Sequence, residues 1–336
     1  MANRRSIKVS VIMPSFNSSA YLDEAICSVL DQTLGDLELI LIDDASKDNT
    51  LEIARNYQAK DKRVTVIPLP VNSGQAFARN VGIRAASGEW LGILDSDDVA
   101  MPSRFEEQLD YSENNKDLVM IGSNLLLIDN ESKVIGKYRY PTNHKDLKKR
   151  LDLKKAFPAH SSMIYRRESV NKLSGFNTRF KLTQDYDLYL RLAETGTIGC
   201  LDKYLVKIRK HQGNRSNMEG GMLQIRFGYA ACVCHFLRLR GYPDPSLNSD
   251  EAVWNTFFAW VARRMVEESV FEKRMAWAGA RAEYFAKEDR CIGAMHFVSR
   301  VLKSGYASTL LREKLFGSSL PKKLAQEWMN RPSAES

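Results

Sequence analysis

Residues 7–43 read IKVSVIMPSFNSSAYLDEAICSVLDQTLGDLELILID, and two nearly uninterrupted apolar runs stand at the ends of this segment. Between them, residues 20–32 repeat apolar side chains every three or four positions, which is the spacing of an amphipathic helix. Apolar strands joined by helices are typical of parallel sheets that are covered on both faces. The segment therefore predicts a strand, a helix and a second, parallel strand.

The same alternation continues to residue 94. Two more strands are predicted at residues 63–68 and 89–94, and two more helices at residues 48–58 and 74–86. We expect an α/β fold with a mostly parallel sheet flanked by helices. Ligands of such sheets bind beyond the carboxyl ends of the strands, so the residues that follow the four strands are candidates for a functional site.

The character of the sequence changes twice after residue 94. First, strand-like segments at residues 118–128, 160–166 and 200–208 mix with one strongly helical segment at residues 184–194. From about residue 216 to residue 336, amphipathic helical patterns rich in arginine, alanine and large apolar residues dominate. We expect one domain at residues 1–215 and a helical C-terminal region at residues 216–336.

The composition is that of a globular protein. Of the 336 residues, 44% are hydrophobic and 27% are charged, and no apolar run approaches the roughly 20 residues of a membrane-spanning helix. No apolar stretch with a cleavage site follows the N-terminus, so we expect no signal peptide. Five cysteines at irregular positions favour a reducing compartment over a disulfide framework, and we expect a cytoplasmic protein.

The formal net charge is +8, and much of the basic excess lies after residue 211. Such an excess fits a polyanionic neighbour, for example an anionic membrane surface, and it equally fits a solvated helical surface. Trp254, Phe257 and Phe258 recur at helical spacing, which is typical of a packed core and also of a helix at a membrane surface. A nucleic-acid partner is disfavoured because no aromatic residues interleave with a basic groove.

Three carboxylates follow the fourth predicted strand, in Asp95-Ser96-Asp97-Asp98. Two carboxylates one residue apart at the end of a buried strand suit Mg²⁺ or Mn²⁺, which prefer oxygen ligands and share them with substrate phosphates. The alternative is a turn whose aspartates cap the next helix, which begins near Pro102. The position of the motif after a strand of the alternating sheet favours the metal site.

Two other strand ends carry polar groups suited to a nucleotide. Asp44 follows the second strand, where a carboxylate can accept hydrogen bonds from a base or a ribose, or can cap the helix that follows. Asn72 and Gly74 precede a helix, and Arg79 lies one to two turns into it. This arrangement offers backbone donors and a guanidinium to an anion, although glycine before a helix is common.

A further carboxylate opens the helix predicted at residues 184–194. In Gln184-Asp185-Tyr186-Asp187, Asp185 is a candidate general base that points into a cleft. The alternative is that carboxylates in a first turn only stabilise the helix dipole. We expect Asp187 and Arg191 to be structural, with Arg191 paired to a neighbouring carboxylate.

Five segments, in this order, resemble the motifs of family 2 glycosyltransferases of the GT-A fold. They are residues 9–17, 39–48, 72–80, 94–98 and 184–188. The resemblance covers residues 7–215 and implies a nucleotide-binding half at about residues 1–115 and an acceptor half at about residues 116–215.

The resemblance also implies roles for single residues. Those expected at the nucleotide are Pro14, Ser15, Phe16, Asn17, Asp44, Asn72, Gly74, Arg79, Asp95 and Ser96. Asp95 and Asp97 would hold Mn²⁺ or Mg²⁺, and Asp185 would be the catalytic base. Gln184 stands where glutamate is commoner, and we expect this difference to tune the site without abolishing activity.

Two histidines complete the predicted site. His211 falls where many relatives carry a histidine followed by a serine, which implies a metal ligand or a diphosphate contact; a surface-loop histidine is the alternative. His160 aligns with a segment beside the acceptor cleft, where Gln184 is also expected; a packed strand residue is the alternative.

The resemblance implies an inverting enzyme that moves a sugar from a nucleotide-diphosphate sugar, UDP-sugar being the expected donor, to a hydroxyl of a glycan or a lipid-linked acceptor. Bacterial surface polysaccharide synthesis on the inner face of the cell membrane is the implied setting. The C-terminal helices are candidates for peripheral membrane contact or for pairing in a homo-oligomer. The alternative is a non-catalytic nucleotide-sugar-binding scaffold, and intact carboxylates at the metal and base positions argue against it.

Overall fold

The computed structural model describes residues 7–211, 218–270 and 320–331. The chain divides into two compact units, residues 1–216 and residues 217–336. The first unit carries the segments with candidate functional residues, and the second is helical in the parts described.

The first unit contains nine strands among the described residues. They are β1 (Val9–Ser15), β2 (Leu37–Asp43), β3 (Val64–Pro68), β4 (Trp90–Ile93), β5 (Val99–Ala100), β6 (Leu118–Ile128), β7 (Val134–Tyr138), β8 (Ile164–Arg166) and β9 (Thr197–Arg209). The helices are α1 (Leu22–Leu30), α2 (Thr50–Lys60), α3 (Gln75–Ala85), α4 (Arg104–Glu113), α5 (His144–Asp152), α6 (Arg167–Lys172) and α7 (Gln184–Ala193), and a short 3-10 helix spans His160–Ser162.

All nine strands belong to one mixed sheet with the order β3-β2-β1-β4-β8-β6-β9-β5, and β7 pairs with β6. The first four strands in the chain are mutually parallel, as are β6 and β9, whereas β8 runs antiparallel to both of its neighbours. The predicted α/β fold with a mostly parallel sheet and flanking helices is confirmed.

The strand predicted at residues 160–166 is wrong over its first half. Ser162 donates its backbone N–H to Ala159 and Met163 donates its backbone N–H to His160, so the chain turns through a 3-10 helix before β8 begins. The Ser162 hydroxyl also donates to the Ala159 carbonyl. Such local bonds from serine compete with strand pairing, which is why an apolar pattern alone misassigned this segment.

The core of the first unit forms where α1 packs on the sheet. The buried residues of α1 recur at the spacing of one helix face; they are Leu22, Ala25, Ile26 and Val29. They join the buried side chains of β1 and β2 in a single apolar cluster. Burying each large aliphatic side chain of this kind contributes about 1.5–3 kcal/mol, so the pattern that predicts α1 also fixes the face it presents to the sheet.

The register of the parallel strands determines where their polar ends lie. Ser15 at the end of β1 pairs with Asp43 at the end of β2, and Ile12 of β1 pairs with Ile93 at the end of β4. The residues that follow these three strands therefore lie at one edge of the sheet.

The second unit contains α8 (Met218–Arg238), α9 (Glu251–Glu267) and a helix at Leu320–Met329. Phe257 of α9 packs edge-on against Trp328, with ring centroids 4.9 Å apart. Trp254 and Phe257 are buried, as expected for a packed core.

The helical pattern predicted beyond α9 lies largely outside the described residues. Among the helices that are described, none combines the length and the apolar character needed to cross a membrane.

Candidate active site

Asp44 organises the turn that leads into α3. Its two carboxylate oxygens accept the backbone N–H groups of Ser73 and Gly74 at 2.7 and 2.9 Å, and the Asn72 side chain donates to the Asp44 carbonyl at 3.2 Å. Gly74 has φ +84°, a left-handed conformation that favours glycine. The predicted nucleotide residues Asp44, Asn72 and Gly74 are thus brought together, and Asp44 also has a structural role that sequence reasoning missed.

The loop after β1 lies beside the loop after β2. The Asn17 backbone N–H donates to the Ser46 hydroxyl at 2.9 Å, and the Asn17 side chain accepts the Lys47 backbone N–H at 2.8 Å. Pro14 and Ser15 are buried at the end of β1, whereas the ring of Phe16 is 39% exposed. Phe16 therefore offers a partly exposed aromatic ring at this edge of the sheet.

Arg79 presents a buried guanidinium at the same edge. It is 2% exposed, and its Nη2 donates to Asp95 Oδ1 at 2.7 Å. Its Nε and Nη1 are buried with no hydrogen-bond partner among the described residues. Buried donors are nearly always satisfied, so these two unpartnered donors make Arg79 a candidate contact for an anionic or polar ligand.

The remaining residues of the Asp95–Asp98 segment have different partners. The Ser96 hydroxyl donates to the Ser18 hydroxyl at 2.8 Å, which ties the segment to the loop before α1. Asp97 Oδ2 lies 2.9 Å from His211 Nε2, and the imidazole packs on Tyr21 with ring centroids 5.3 Å apart. Burial and the neighbouring Asp95 raise the pKa of Asp97, and the contact with His211 opposes that rise.

Asp97 and His211 fit two positions of a divalent cation site. Within residues 7–211, 218–270 and 320–331, no group of three or more His, Cys, Asp or Glu side chains is placed to hold a metal. Mg²⁺, however, typically takes one or two protein ligands and completes its octahedron with waters and phosphates, and its neighbouring ligands are about 3 Å apart. The 2.9 Å between Asp97 Oδ2 and His211 Nε2 matches that spacing. Asp95 fits less well as a direct ligand because its carboxylate is held by Arg79.

Asp98 and Arg209 form a connection that sequence reasoning missed. Asp98 Oδ1 accepts the Arg209 backbone N–H at 2.9 Å, and Arg209 Nε donates to the Asp97 carbonyl at 3.0 Å. The Arg209 guanidinium also lies over the Tyr21 ring, 4.5 Å from its centroid, and pairs with Glu24. These bonds hold the end of β9, two residues before His211, against the carboxylate loop. Asp98 therefore has a structural role, because it joins the carboxylate loop to the end of β9.

Asp185 reaches the same site from α7. Its carboxylate accepts the Tyr186 backbone N–H at 2.8 Å. Burial raises the pKa of Asp185, Arg79 opposes that rise and Asp95 adds to it. The Gln184 side chain, next to Asp185, donates to Gln75 Oε1 at 3.2 Å, so the start of α7 lies beside the start of α3. Arg79 of α3 in turn donates to Asp95, which links the predicted base to the carboxylate loop although the two are distant in sequence.

Arg191 anchors the helix that carries Asp185. Its Nε donates to Asp187 at 2.8 Å, and its Nη1 and Nη2 donate to the Leu173 and Gly175 carbonyls at 3.0 and 2.9 Å. Both partners of the ion pair are buried, with side chains 2% and 0% exposed. The prediction that Arg191 pairs with a neighbouring carboxylate is confirmed.

Replacing Arg191 with alanine is expected to lower the free energy of unfolding by about 3–5 kcal/mol, because it leaves a buried carboxylate without its cation. Urea denaturation measures this. Lys172→Ala is the matched control, since it breaks an exposed pair with Glu168 and should change stability by less than about 0.5 kcal/mol. Equal, small effects of the two substitutions would contradict the anchoring role.

His160 and Gln184, both predicted near the acceptor, are buried. His160 Nδ1 lies 3.2 Å from the hydroxyls of both Tyr165 and Tyr189. Gln184 Nε2 donates to Gln75 Oε1 at 3.2 Å, and Gln184 Oε1 is buried with no hydrogen-bond partner in the described part of the chain. Gln184 therefore links α7 to α3 and offers one open acceptor to the site.

Comparison with known proteins identifies the family. The sequence profile of glycosyl transferase family 2 matches residues 10–174. The chain is 34% identical over 237 residues to the O-antigen biosynthesis glycosyltransferase WbnJ of Escherichia coli, a match that covers 68% of this chain and 87% of WbnJ.

Two solved structures share the fold. The crystal structure of S. aureus TarS in complex with UDP-GlcNAc covers 88% of this chain and 80% of its own, with 18% identity and a TM-score of 0.57. The mannosyltransferase PcManGT of Pyrobaculum calidifontis, in complex with GDP-Man and Mn²⁺, covers 88% and 86%, with 17% identity and a TM-score of 0.52. Because WbnJ is matched over most of its length and the profile spans the strands that build the site, this chain belongs to glycosyl transferase family 2.

Proposed function

We propose that this chain is a metal-dependent, inverting glycosyltransferase that moves a sugar from a UDP-sugar to a hydroxyl of a glycan or lipid-linked acceptor. The observation that carries the proposal is an arrangement of three groups around the Asp95–Asp98 segment. Arg79 of α3 donates to Asp95, Asp97 faces His211, and α7, which carries Asp185 in its first turn, is bonded to the start of α3 through Gln184. A site for a diphosphate, a site for a divalent cation and a base are the three parts that such a transfer requires.

On the donor side, Arg79 would bind the diphosphate through its two open donors, while its third nitrogen holds Asp95 in place. Asp97 and His211 would hold Mg²⁺ or Mn²⁺, with Asp95 nearby. When bound, this ion neutralises negative charge that develops on the departing nucleotide. The turn organised by Asp44 and the exposed ring of Phe16 would contact the nucleoside.

On the acceptor side, Asp185 would take the proton of the attacking hydroxyl. Its carboxylate is supported by the Tyr186 backbone N–H, and burial makes it a better proton acceptor than an exposed aspartate. A hydroxyl activated by one base attacks the anomeric carbon from the face opposite the leaving group. A single displacement of this kind inverts the anomeric configuration.

The nature of the donor and of the acceptor is inferred from the relatives. TarS binds UDP-GlcNAc and PcManGT binds GDP-Man and Mn²⁺, as their names state, so both nucleotides are to be tested and UDP is the expected one. WbnJ is named for O-antigen biosynthesis, which favours a bacterial surface polysaccharide as the acceptor. We further infer that the enzyme acts at the cytoplasmic face of the membrane. There the C-terminal helices would contact the membrane surface peripherally or pair in a homo-oligomer.

The proposal is tested by the thermal stabilisation that UDP, GDP, dTDP and CDP produce, each with and without Mn²⁺. UDP with Mn²⁺ is expected to raise the midpoint of unfolding by roughly 5 °C at 100 times its Kd, and UDP alone by much less. Stabilisation by GDP, and not by the other three nucleotides, would indicate that the donor is a GDP-sugar. Binding of the UDP-sugar without transfer or hydrolysis would favour a non-catalytic scaffold, and no response from folded protein would contradict the donor site.

A further inference from the structure

His160 and Arg79 contact the same aromatic ring. Its ring packs edge-on against Phe176, with centroids 5.5 Å apart, and the Arg79 guanidinium lies 5.7 Å from the centroid of the same ring. Phe176 is fixed to α3 by two hydrogen bonds of 2.8 Å, because its backbone N–H and carbonyl both bind the Asn80 side chain. Arg79, Phe176 and His160 thus form one tightly held assembly.

The neighbour of His160 connects the 3-10 helix to the carboxylate loop. The Ser161 hydroxyl accepts the Asp95 backbone N–H at 3.1 Å. His160 is therefore one residue from a direct contact with the segment proposed to hold the diphosphate and its cation. The sequence predicts an acceptor-side position for His160, and that position alone would not place the neighbouring Ser161 against Asp95.

The imidazole of His160 is oriented by two phenols. Nδ1 lies 3.2 Å from the hydroxyls of Tyr165 and Tyr189, and all three side chains are buried. A tyrosine hydroxyl that donates to Nδ1 leaves the single proton of a neutral imidazole on Nε2. Burial, Arg79 and Arg104 lower the pKa of His160 well below its usual range, so the ring stays neutral.

The Nε2 atom of His160 is buried and has no hydrogen-bond partner among the described residues. Leaving such a donor unsatisfied is unfavourable, so a ligand atom is the expected partner. A neutral N–H is suited to a hydroxyl oxygen, whereas the charged donors of Arg79 are suited to the diphosphate. In a nucleotide sugar, the diphosphate joins the nucleoside to the sugar, so a group beside Arg79 can be in reach of the sugar hydroxyls.

We propose that His160 binds a hydroxyl of the donor sugar through Nε2–H, and that Tyr165 and Tyr189 are positioning residues that orient its ring. The inference rests on the proposed function, because it requires a nucleotide-sugar donor. It makes His160 a determinant of which sugar is accepted, since a sugar without a hydroxyl at that place would leave Nε2 unsatisfied.

The experiment compares two substitutions of similar size. Asparagine in His160→Asn can place its amide near the Nδ1 position and keep the contact with the tyrosines, whereas glutamine in His160→Gln can extend an amide N–H to the Nε2 position. Calorimetry with Mn²⁺ would measure Kd for UDP, UDP-glucose and UDP-N-acetylglucosamine, and for GDP and GDP-mannose. The best-bound sugar nucleotide is expected to lose about tenfold in affinity in His160→Asn and about twofold in His160→Gln. Affinity for the free nucleotide should stay within twofold in both.

Each other result overturns the inference in a distinguishable way. Equal loss of affinity for UDP and UDP-sugar would mean either that His160 contacts the phosphates or that the variant has lost structure. The unfolding midpoint of the ligand-free variant distinguishes these two explanations, because only a loss of structure lowers it. Unchanged donor affinity with a raised KM for the acceptor would place it on the acceptor side. If wild type binds none of the nucleotides, the proposed function fails and the inference fails with it.

The positioning role has its own readout. Tyr165→Phe removes one hydroxyl that faces Nδ1 and keeps the ring, so it should weaken UDP-sugar binding about threefold and leave UDP binding unchanged. An equal effect on UDP and UDP-sugar would show that Tyr165 only packs.

Discussion

Asp185→Asn is expected to reduce kcat by about 10³-fold while the Kd for UDP with Mn²⁺ stays within about twofold of wild type. The substituted amide oxygen can still accept the Tyr186 backbone N–H, so the start of α7 should keep its structure. What is lost is the ability to take a proton from the acceptor hydroxyl. Transfer assays and calorimetry on the same preparation measure the two quantities.

Asp146→Asn provides the matched control for this prediction. Asp146 also lies in the first turn of a helix, α5, but it is exposed, and its carboxylate accepts a hydrogen bond from the side chain of the N-cap residue Asn143. If the carboxylate of Asp185 merely stabilised the helix dipole, the two substitutions would have similar small effects. Near-normal turnover by Asp185→Asn would refute its assignment as the base.

The pH dependence of transfer reports on the same group. The base must be ionised to act, so activity is lost as pH falls through the pKa of Asp185. Burial and Asp95 raise that pKa above its ordinary value despite the opposing effect of Arg79, so the acid limb of kcat/KM should lie at a higher pH than an exposed aspartate would give. Arg79→Lys is the informative comparison. Moving the positive charge away from Asp185 weakens its lowering effect on the pKa of Asp185, so the acid limb should shift to higher pH.

Asp97→Asn is expected to remove the Mn²⁺ dependence of UDP binding and to lower kcat/KM by at least about 100-fold. A neutral amide is a weaker ligand for a hard cation than a carboxylate, and His211 at 2.9 Å would be left without its anionic partner. In the presence of Mn²⁺, the Kd for UDP should approach the value measured without metal. Electron paramagnetic resonance of bound Mn²⁺ gives a second readout that does not depend on turnover.

Asp98→Asn is the matched control for Asp97→Asn, because it removes one negative charge from the same segment. Asp98 is adjacent in sequence, yet its carboxylate accepts the Arg209 backbone N–H, and an asparagine oxygen can accept the same bond. It should therefore keep the Mn²⁺ dependence. Loss of that dependence in Asp98→Asn, with retention in Asp97→Asn, would show that the cation is held elsewhere in the segment.

Much of the first unit was predictable because its signals are local. An amphipathic repeat such as that of α1 and a run of buried apolar residues such as β2 follow from the sequence within one or two residues, since burial on a sheet selects them directly. The segment at residues 160–166 was misread because bonds of Ser162 and Met163 to nearby carbonyls outweigh its strand-like composition.

The site was predictable in its parts but not in its connections. The candidate residues follow strands or open a helix, and parallel strands bring their carboxyl ends to one edge whatever their order. No local pattern shows that Asp98 binds the backbone of Arg209, or that the Asn80 side chain holds Phe176 between Arg79 and His160. The Asp98–Arg209 and Asn80–Phe176 hydrogen bonds join residues that lie about 100 positions apart.

The amino-acid sequence alone determined the alternating strands and helices, the family, and the residue types at the strand ends, because each depends on short-range periodicity and chemistry. Only the tertiary structure decided which carboxylates serve which purpose. Asp95 faces Arg79, Asp97 faces His211 and Asp98 binds the chain at Arg209, although the three lie within four residues. The reason is physical: the role of a charged group is set by the partners that folding places within hydrogen-bond distance, and those partners come from α3 and from the end of β9.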